Sequence, residues 1–206
     1  MTTYSEGNYL NDLLKYELDN KQSREQVTVL SGESVVMGEV VGKVLLSTPT
    51  SGTADEGNSG NGTMGSVTAG TDAKKGTYTI ECITAADASA GDGAMFKVVD
   101  PDGNALPDAE GGAAYTNDQL NFTITAGGVA FIVGDKFTVA ITAGSEKIVP
   151  IEFAAVDGSQ DAYGFMTAAV DASAADVEGV AIVRDAQIEA SYLTWPDGAT
   201  TAQKNT

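Results

Sequence analysis

The sequence predicts a mainly β protein: a small β-rich domain interrupted by an inserted β-sandwich-like domain, with a short helix in an N-terminal arm. Three observations predict it. Residues 27–46 and 147–196 read as two halves of one β-rich unit, and residues 47–146 between them carry strands and turns at short spacing, the pattern of a sandwich or barrel. Residues 9–18 alone show helical periodicity. The domains expected are an arm over 1–26, a core over 27–46 and 147–196, an insert over 47–146 and a tail over 197–206.

Residues 1–8 are expected to be flexible. From Tyr9 to Leu18, the leucines Leu10, Leu13, Leu14 and Leu18 fall at i, i+3, i+4 and i+8, one face of an α-helix. A helix of ten residues is marginal alone, since isolated helices need about 12–15 residues. Its leucine face therefore needs a partner surface, either its own domain or another chain. Asp19–Gln26 is a polar linker. Val27–Leu30 reads as a strand, Ser31–Ser34 as a turn, and Val35–Val44 as a strand whose glycines mark bulges or close backbone approach.

The stretch Ser47–Gly65, with five glycines among Ser, Thr and Asn, reads as a linker or long loop. Beyond it, Thr77–Ile83 alternates, Ala94–Val99 is apolar, and Asp100-Pro101-Asp102-Gly103-Asn104 is a turn. Leu120, Phe122 and Ile124 share a face, Val129–Val133 reads as a short strand, and Phe137, Val139 and Ile141 alternate in the last strand. No helix is expected here.

The returning chain is apolar over Lys147–Val156, with Pro150 as an edge-strand cue. Asp157–Asp161 is a turn, Ala162–Val170 a strand, Asp171–Asp176 a loop and Val177–Val183 a strand. Arg184-Asp185 turns into Ala186–Ala190, and Tyr192–Pro196 ends the ordered pattern. Asp197–Thr206 reads as a frayed tail.

Composition narrows the function. The 206 residues hold 11 basic and 29 acidic side chains and no histidine, for a net charge of −18. Such a surface disfavours nucleic acid and anionic membranes, which both need basic patches. The charge is spread evenly, with −9 on residues 47–146 and −9 on the rest. Without histidine there is no Ser-His or Cys-His pair and no imidazole metal ligand. Lone Cys82, inside a strand pattern, reads as a small buried apolar residue. No cofactor or metal site is expected. Asp100, Asp102, Gly103 and Asn104 have the residue types of a calcium loop, but position six is Ala105 and position twelve Gly111, so the motif fails and a plain β-turn remains. Gly127-Gly128 lacks the lysine and helix of a phosphate loop. Asp157 and Asp161 read as solvated turn acids. Trp195 before Pro196 reads either as a plug at the core edge or as an interface anchor. The N-terminus has neither the basic nor the apolar region of a signal peptide, and no run reaches the length of a membrane span, so synthesis in a cytoplasm is expected.

The flanking segments together resemble a known family. Ala154-Ala155-Val156-Asp157-Gly158, then Tyr163-Gly164-Phe165-Met166-Thr167-Ala168-Ala169-Val170, then Leu193-Thr194-Trp195-Pro196 are similar to the lambda-type head decoration proteins of tailed phages. Asn8–Glu17, Ser23–Val29 and Gly38–Val44 are similar to the long-armed branch of that family. The resemblance covers about 90 residues outside the insert. It implies a β-clip-like core that forms homotrimers at three-fold sites of the expanded capsid. The partner it implies is the major capsid protein, and the expected location is the outer surface of the virion. It further implies an arm, with Leu10, Leu13, Leu14 and Leu18, that adds to the lattice, and a shell clamped against DNA pressure. The insert departs from a minimal member, and a contact with a neighbour or a host surface is the expectation for it. A surface adhesin or carbohydrate-binding module built on the insert is the alternative; a carboxylate hydrolase is disfavoured because no acid pair has a glycosidase-like setting.

Overall fold

In the computed structural model the described residues are 9–85 and 93–205. The expected flexible lead, residues 1–8, lies outside them, as does Thr206. In chain order the elements are α1 (Leu10–Leu13), β1 (Leu14–Glu17), α2 (Asn20–Ser23), β2 (Arg24–Val29), β3 (Ser34–Val35) and β4 (Val40–Lys43). Then come β5 (Thr53–Ala54), β6 (Thr63–Ala69), β7 (Gly76–Thr84), β8 (Met95–Val99), β9 (Ala109–Glu110), β10 (Ala114–Tyr115), β11 (Leu120–Thr125) and β12 (Lys136–Ile141). The chain ends with β13 (Ile148–Pro150), β14 (Gly164–Met166), β15 (Val170–Asp171), β16 (Val177–Ile182) and β17 (Ala186–Ile188), followed by two 3₁₀ turns. Two units result: Met1–Leu45 with Ser145–Thr206, and Leu46–Gly144. The protein is mainly β, as the sequence predicts.

The first unit is built on a closed barrel in the order β13-β2-β16-β14-β4. Alternation explains it: Val27 and Val29 of β2 point inward and join Val35, Val41, Ile148, Met166, Ala172 and Ala181 in one core. β2 and β16 run antiparallel over six residue pairs, from Val29↔Val177 to Arg24↔Ile182. β13 closes the barrel, parallel to β2 at Ile148↔Val29 and antiparallel to β4, with Pro150 at its last position. Gly42 sits where β4 crosses the chain after the 157–158 turn. A Cβ there would lie 2.1 Å from the backbone oxygen of Ser159. Two ribbons, β1–β17 and β3–β15, complete the unit.

The second unit has a three-stranded sheet, β10-β11-β6, and a five-stranded sheet, β5-β12-β7-β8-β9. Four strands bury alternate residues: Tyr78, Ile80 and Cys82 on β7, Phe96 and Val98 on β8, Leu120, Phe122 and Ile124 on β11, Phe137, Val139 and Ile141 on β12. No helix occurs among its described residues.

Five segments differ from the sequence reading. The helix expected over 9–18 stops at Leu13, because β1 pairs with β17 from Leu14↔Ile188 to Glu17↔Ala186 and cross-strand bonding outweighs marginal helicity. The strand expected over Val35–Val44 breaks at a turn where Gly38 takes φ +79°. Ala162–Val170 is divided between β14 and β15. Ser47–Gly65 is part of the second unit's packing and not a linker: the buried carboxylate of Asp135 accepts the N–H groups of Ser59, Gly60 and Ile132 at 2.8–3.0 Å. Asn58 makes two bonds with the backbone of Lys136. Val129–Val133 forms no strand; Phe131 turns in against Phe96, ring centroids 5.2 Å apart and edge-on.

Candidate functional site

Three of the four predicted leucines come together. Leu13, 1% exposed, forms a cluster with Phe165 of β14 and Ile182 of β16, and Leu10, Leu14, Ala186, Ile188 and Leu193 pack against it. Leu18 does not join them and is 62% exposed. The geometry follows from the local sequence. Asp12 accepts the N–H of Tyr9 at 2.9 Å, which starts α1. One turn aims Leu10 and Leu13 at the barrel, and β1 then carries the chain along β17.

A clamp holds the end of β1. The Glu17 carboxylate takes Arg24 Nε at 2.9 Å and Nη2 at 2.5 Å, and Ser23 Oγ at 2.8 Å. The Arg24 bond holds the Glu17 carboxyl below its ordinary range, and Glu17 in turn raises Arg24. Both lie near water, so the pair fixes geometry more than it adds stability. Tyr9, Tyr16 and Leu18 of this segment are exposed, and Lys15 Nζ lies 5.8 Å from the ring centroid of Tyr192.

Trp195 is half-buried and Pro196 exposed. The Trp195 indole stacks on Phe153, centroids 6.2 Å apart and planes 15° from parallel. It also lines an open groove of about 260 Å³ whose walls include Tyr163, Phe165, Ile182, Ile188 and Leu193. Phe165, Ile182, Ile188 and Leu193 therefore serve both the leucine cluster and the groove. At the rim, Glu25 accepts from Tyr163 Oη and from Arg184 Nη2, and Arg184 Nη1 reaches the carbonyl of Gln22 at 3.2 Å. Sequence reasoning did not find Phe153 or this triad, because its members come from a predicted linker, a turn and a strand start far apart in the chain.

The other candidates have structural settings. Cys82 is fully buried, and burial together with Asp135 pushes its thiol up, away from the thiolate. Asp100 caps its turn: Oδ1 accepts the N–H groups of Asp102 and Asn104, and Oδ2 takes Lys74 Nζ at 2.7 Å. Lys74 holds the Asp100 carboxyl far below its ordinary range. Among the described residues no group of three or more His, Cys, Asp or Glu is placed to hold a metal, and no helix is long and apolar enough to cross a membrane. Asp157 accepts the N–H and hydroxyl of Ser159 within its own turn.

What the first unit offers is apolar packing surface on a closed barrel. Residues 3–206 match the family model of the bacteriophage lambda head decoration protein D, and the chain belongs to that family. It is a phage head decoration protein, a structural component that binds the capsid of the virion. No curated protein matches it. Two crystal structures of Xanthomonas campestris FlgL, in different space groups, are similar at 16% and 19% identity with TM-scores of 0.33 and 0.32. The matches cover 54% and 55% of this chain and 34% and 33% of FlgL, so the chain spans about a third of those structures.

Proposed function

We propose that the protein binds the expanded phage head as trimers at three-fold sites and stabilises the shell against the pressure of packaged DNA. The family match over residues 3–206 is the observation that carries this reading. Mass action supplies the mechanism: a protein that binds only the expanded lattice shifts the equilibrium toward that lattice. On this reading residues 1–26 are the capsid-binding arm, residues 27–46 and 147–196 the core and residues 47–146 an added display domain. Leu10, Leu13 and Leu14 back the arm from within, and Leu18, with Tyr16, meets the shell. Trp195 and Pro196 anchor an interface beside the groove. Trimerisation multiplies weak contacts through avidity.

The test is co-sedimentation of the purified protein with expanded capsids, scored for copies per capsid. Saturation at three copies per three-fold site is expected. Saturable binding at another stoichiometry would overturn the trimer, and absence of binding would overturn the reading. One observation favours a second role for the insert, contact with a neighbour or host surface: Val129, Ile132 and Val133 are each about half exposed or more on a stretch, Ala126–Gly134, with no polar side chain. Binding of the isolated insert to a glycan array would support the adhesin alternative.

A further inference from the structure

We propose that Glu17 and Arg24 are positioning residues for capsid binding: their clamp holds residues 18–23 in one conformation before the shell is met, so that Leu18 enters an apolar seat on the capsid protein as a preformed anchor. The inference rests on the capsid-binding reading and adds to it the residues that act through Leu18 without being the contact.

The loop between β1 and β2 is fixed along its length. Glu17, the last residue of β1, pairs with Ala186, and Arg24, the first of β2, pairs with Ile182. The turn 183–185 therefore runs beside residues 18–23, and each of its residues bonds to them. The N–H of Leu18 donates to the Asp185 carbonyl at 3.1 Å, the N–H of Val183 to the Ser23 carbonyl at 2.9 Å, and Arg184 Nη1 to the Gln22 carbonyl at 3.2 Å. Asp19 starts α2: its Oδ1 accepts the N–H of Lys21 at 2.9 Å, and its carbonyl accepts those of Gln22 and Ser23 at 2.8 Å. Ser23 is wholly buried, with Oγ 2.8 Å from Glu17 Oε2 and 3.0 Å from the Asp19 carbonyl. The Arg24 fork then closes the loop on both oxygens of Glu17.

Leu18 is the exception to this order. It is the one apolar residue between Glu17 and Arg24. Its side chain is in neither the barrel core nor the leucine cluster, although its backbone is held. Tyr16, two residues earlier, is 58% exposed as well. Single exposed apolar side chains are common on protein surfaces. What sets Leu18 apart is its mounting. A side chain on an ordered loop gives up less conformational freedom on binding than one on a loose loop, so the same contact binds more tightly.

The clamp itself is poorly placed to be the contact. The side chains of Glu17 and Arg24 are 20% and 31% exposed, so most of each is shielded from a partner. An ion pair this near water also adds little to stability. Its effect falls on the order of the loop it closes, and through that loop on Leu18.

The experiment compares the wild type with Leu18→Ala, Arg24→Gln, Glu17→Gln and the double variant Leu18→Ala/Arg24→Gln. Each is measured for affinity to expanded capsids, for urea midpoint, and for amide exchange at residue 18 in the free protein. Expected are about tenfold weaker capsid binding in each single variant and no further loss in the double variant. Exchange at Leu18 should be faster in both clamp variants, with urea midpoints close to that of the wild type. Losses that multiply in the double variant would show the clamp acting apart from Leu18 and would overturn the proposal. So would clamp variants that bind like the wild type, or a Leu18 amide that exchanges in them at the wild-type rate. Loss of the fold in both clamp variants would also overturn it, since the pair would then be a stability element. Wild-type protein that leaves expanded capsids bare would overturn the capsid-binding reading itself, and this proposal with it.

Discussion

Lys74 and Asp100 tie the chain entering β7 to the chain leaving β8, with Nζ 2.7 Å from a carboxylate oxygen whose side chain is almost wholly shielded from water. Lys74 also reaches Asp102 Oδ2 at 2.6 Å, and its N–H donates to Tyr78 Oη, which meets Gln119 Oε1 at 3.0 Å. One lysine thus links both sheets of the insert.

Asp100→Asn should lower the melting temperature of the insert at pH 7, because the amide cannot replace the carboxylate's charge for Lys74. The depressed folded-state pKa sets the sign: the carboxylate contributes stability above its unfolded value of about 4, and that contribution is lost as pH falls below it. The gap between wild type and variant should therefore narrow below about pH 4. A gap independent of pH in thermal melts would show that the turn bonds, and not the charge, matter.

Tyr115 gives the opposite pH dependence. Among the described residues its buried hydroxyl has no hydrogen-bond partner, and its ring stacks on Phe122 with centroids 4.6 Å apart. Burial, with Asp108 nearby, pushes its pKa up to about 12. The neutral phenol then contributes stability that is complete below about pH 10 and lost as pH rises toward 12. Tyr115→Phe removes an unsatisfied polar atom and should stabilise by about 1 kcal/mol at neutral pH. It should also flatten the alkaline limb of a denaturation series.

Leu13 and Leu18 separate stability from binding. Leu13→Ala should cost about 2–5 kcal/mol, as core truncations do. Leu18→Ala should change stability by less than about 0.5 kcal/mol, as exposed substitutions do. Chemical denaturation measures both. On the proposed reading Leu18→Asp weakens capsid co-sedimentation with the fold intact, whereas undiminished binding would move the contact elsewhere. Removal of residues 1–24 should unfold or badly destabilise the barrel, since Leu13 and all of β1 go with it.

Gly42→Ala should be among the most damaging small changes. A methyl group 2.1 Å from the Ser159 oxygen forces backbone apart in the barrel wall. Loss of soluble protein, or a melting temperature more than about 5 °C lower, is expected.

Much of this was legible in the sequence. Alternation placed β7, β11 and β12 correctly because their buried faces, such as Leu120, Phe122 and Ile124, follow a strict period of two. The leucine spacing found three residues that pack, with Leu18 left outside the cluster, but not their conformation: Leu10 and Leu13 lie on a helical turn, while Leu14 is held by pairing with Ile188, a partner at the far end of the chain. Glycine-rich 47–65 misled for a related reason. Its low-complexity composition reads as a linker, yet Gly60 and Gly62 are glycines because Phe131 and Asp135 crowd them. The Glu25, Tyr163 and Arg184 triad left no local signal at all.

The point of insertion has its own consequence. In the barrel unit the N–H of Val44 bonds the carbonyl of Lys147, and the N–H of Glu146 bonds the carbonyl of Val44. In the insert the first and last segments are likewise neighbours, with Leu46 bridged to Ala143 and Ser47 bonded to Thr142. Outgoing and returning chain therefore leave the barrel side by side, as in a hairpin, and the span to be closed is short whatever lies beyond it. Loop closure costs little more for a long excursion than for a short one. Joining Leu45 to Ser145 by a tight turn should leave a folded barrel, and grafting an unrelated domain with adjacent termini there should do the same. The 45–145 junction is then a socket that should accept one inserted module in place of another without redesign of the barrel.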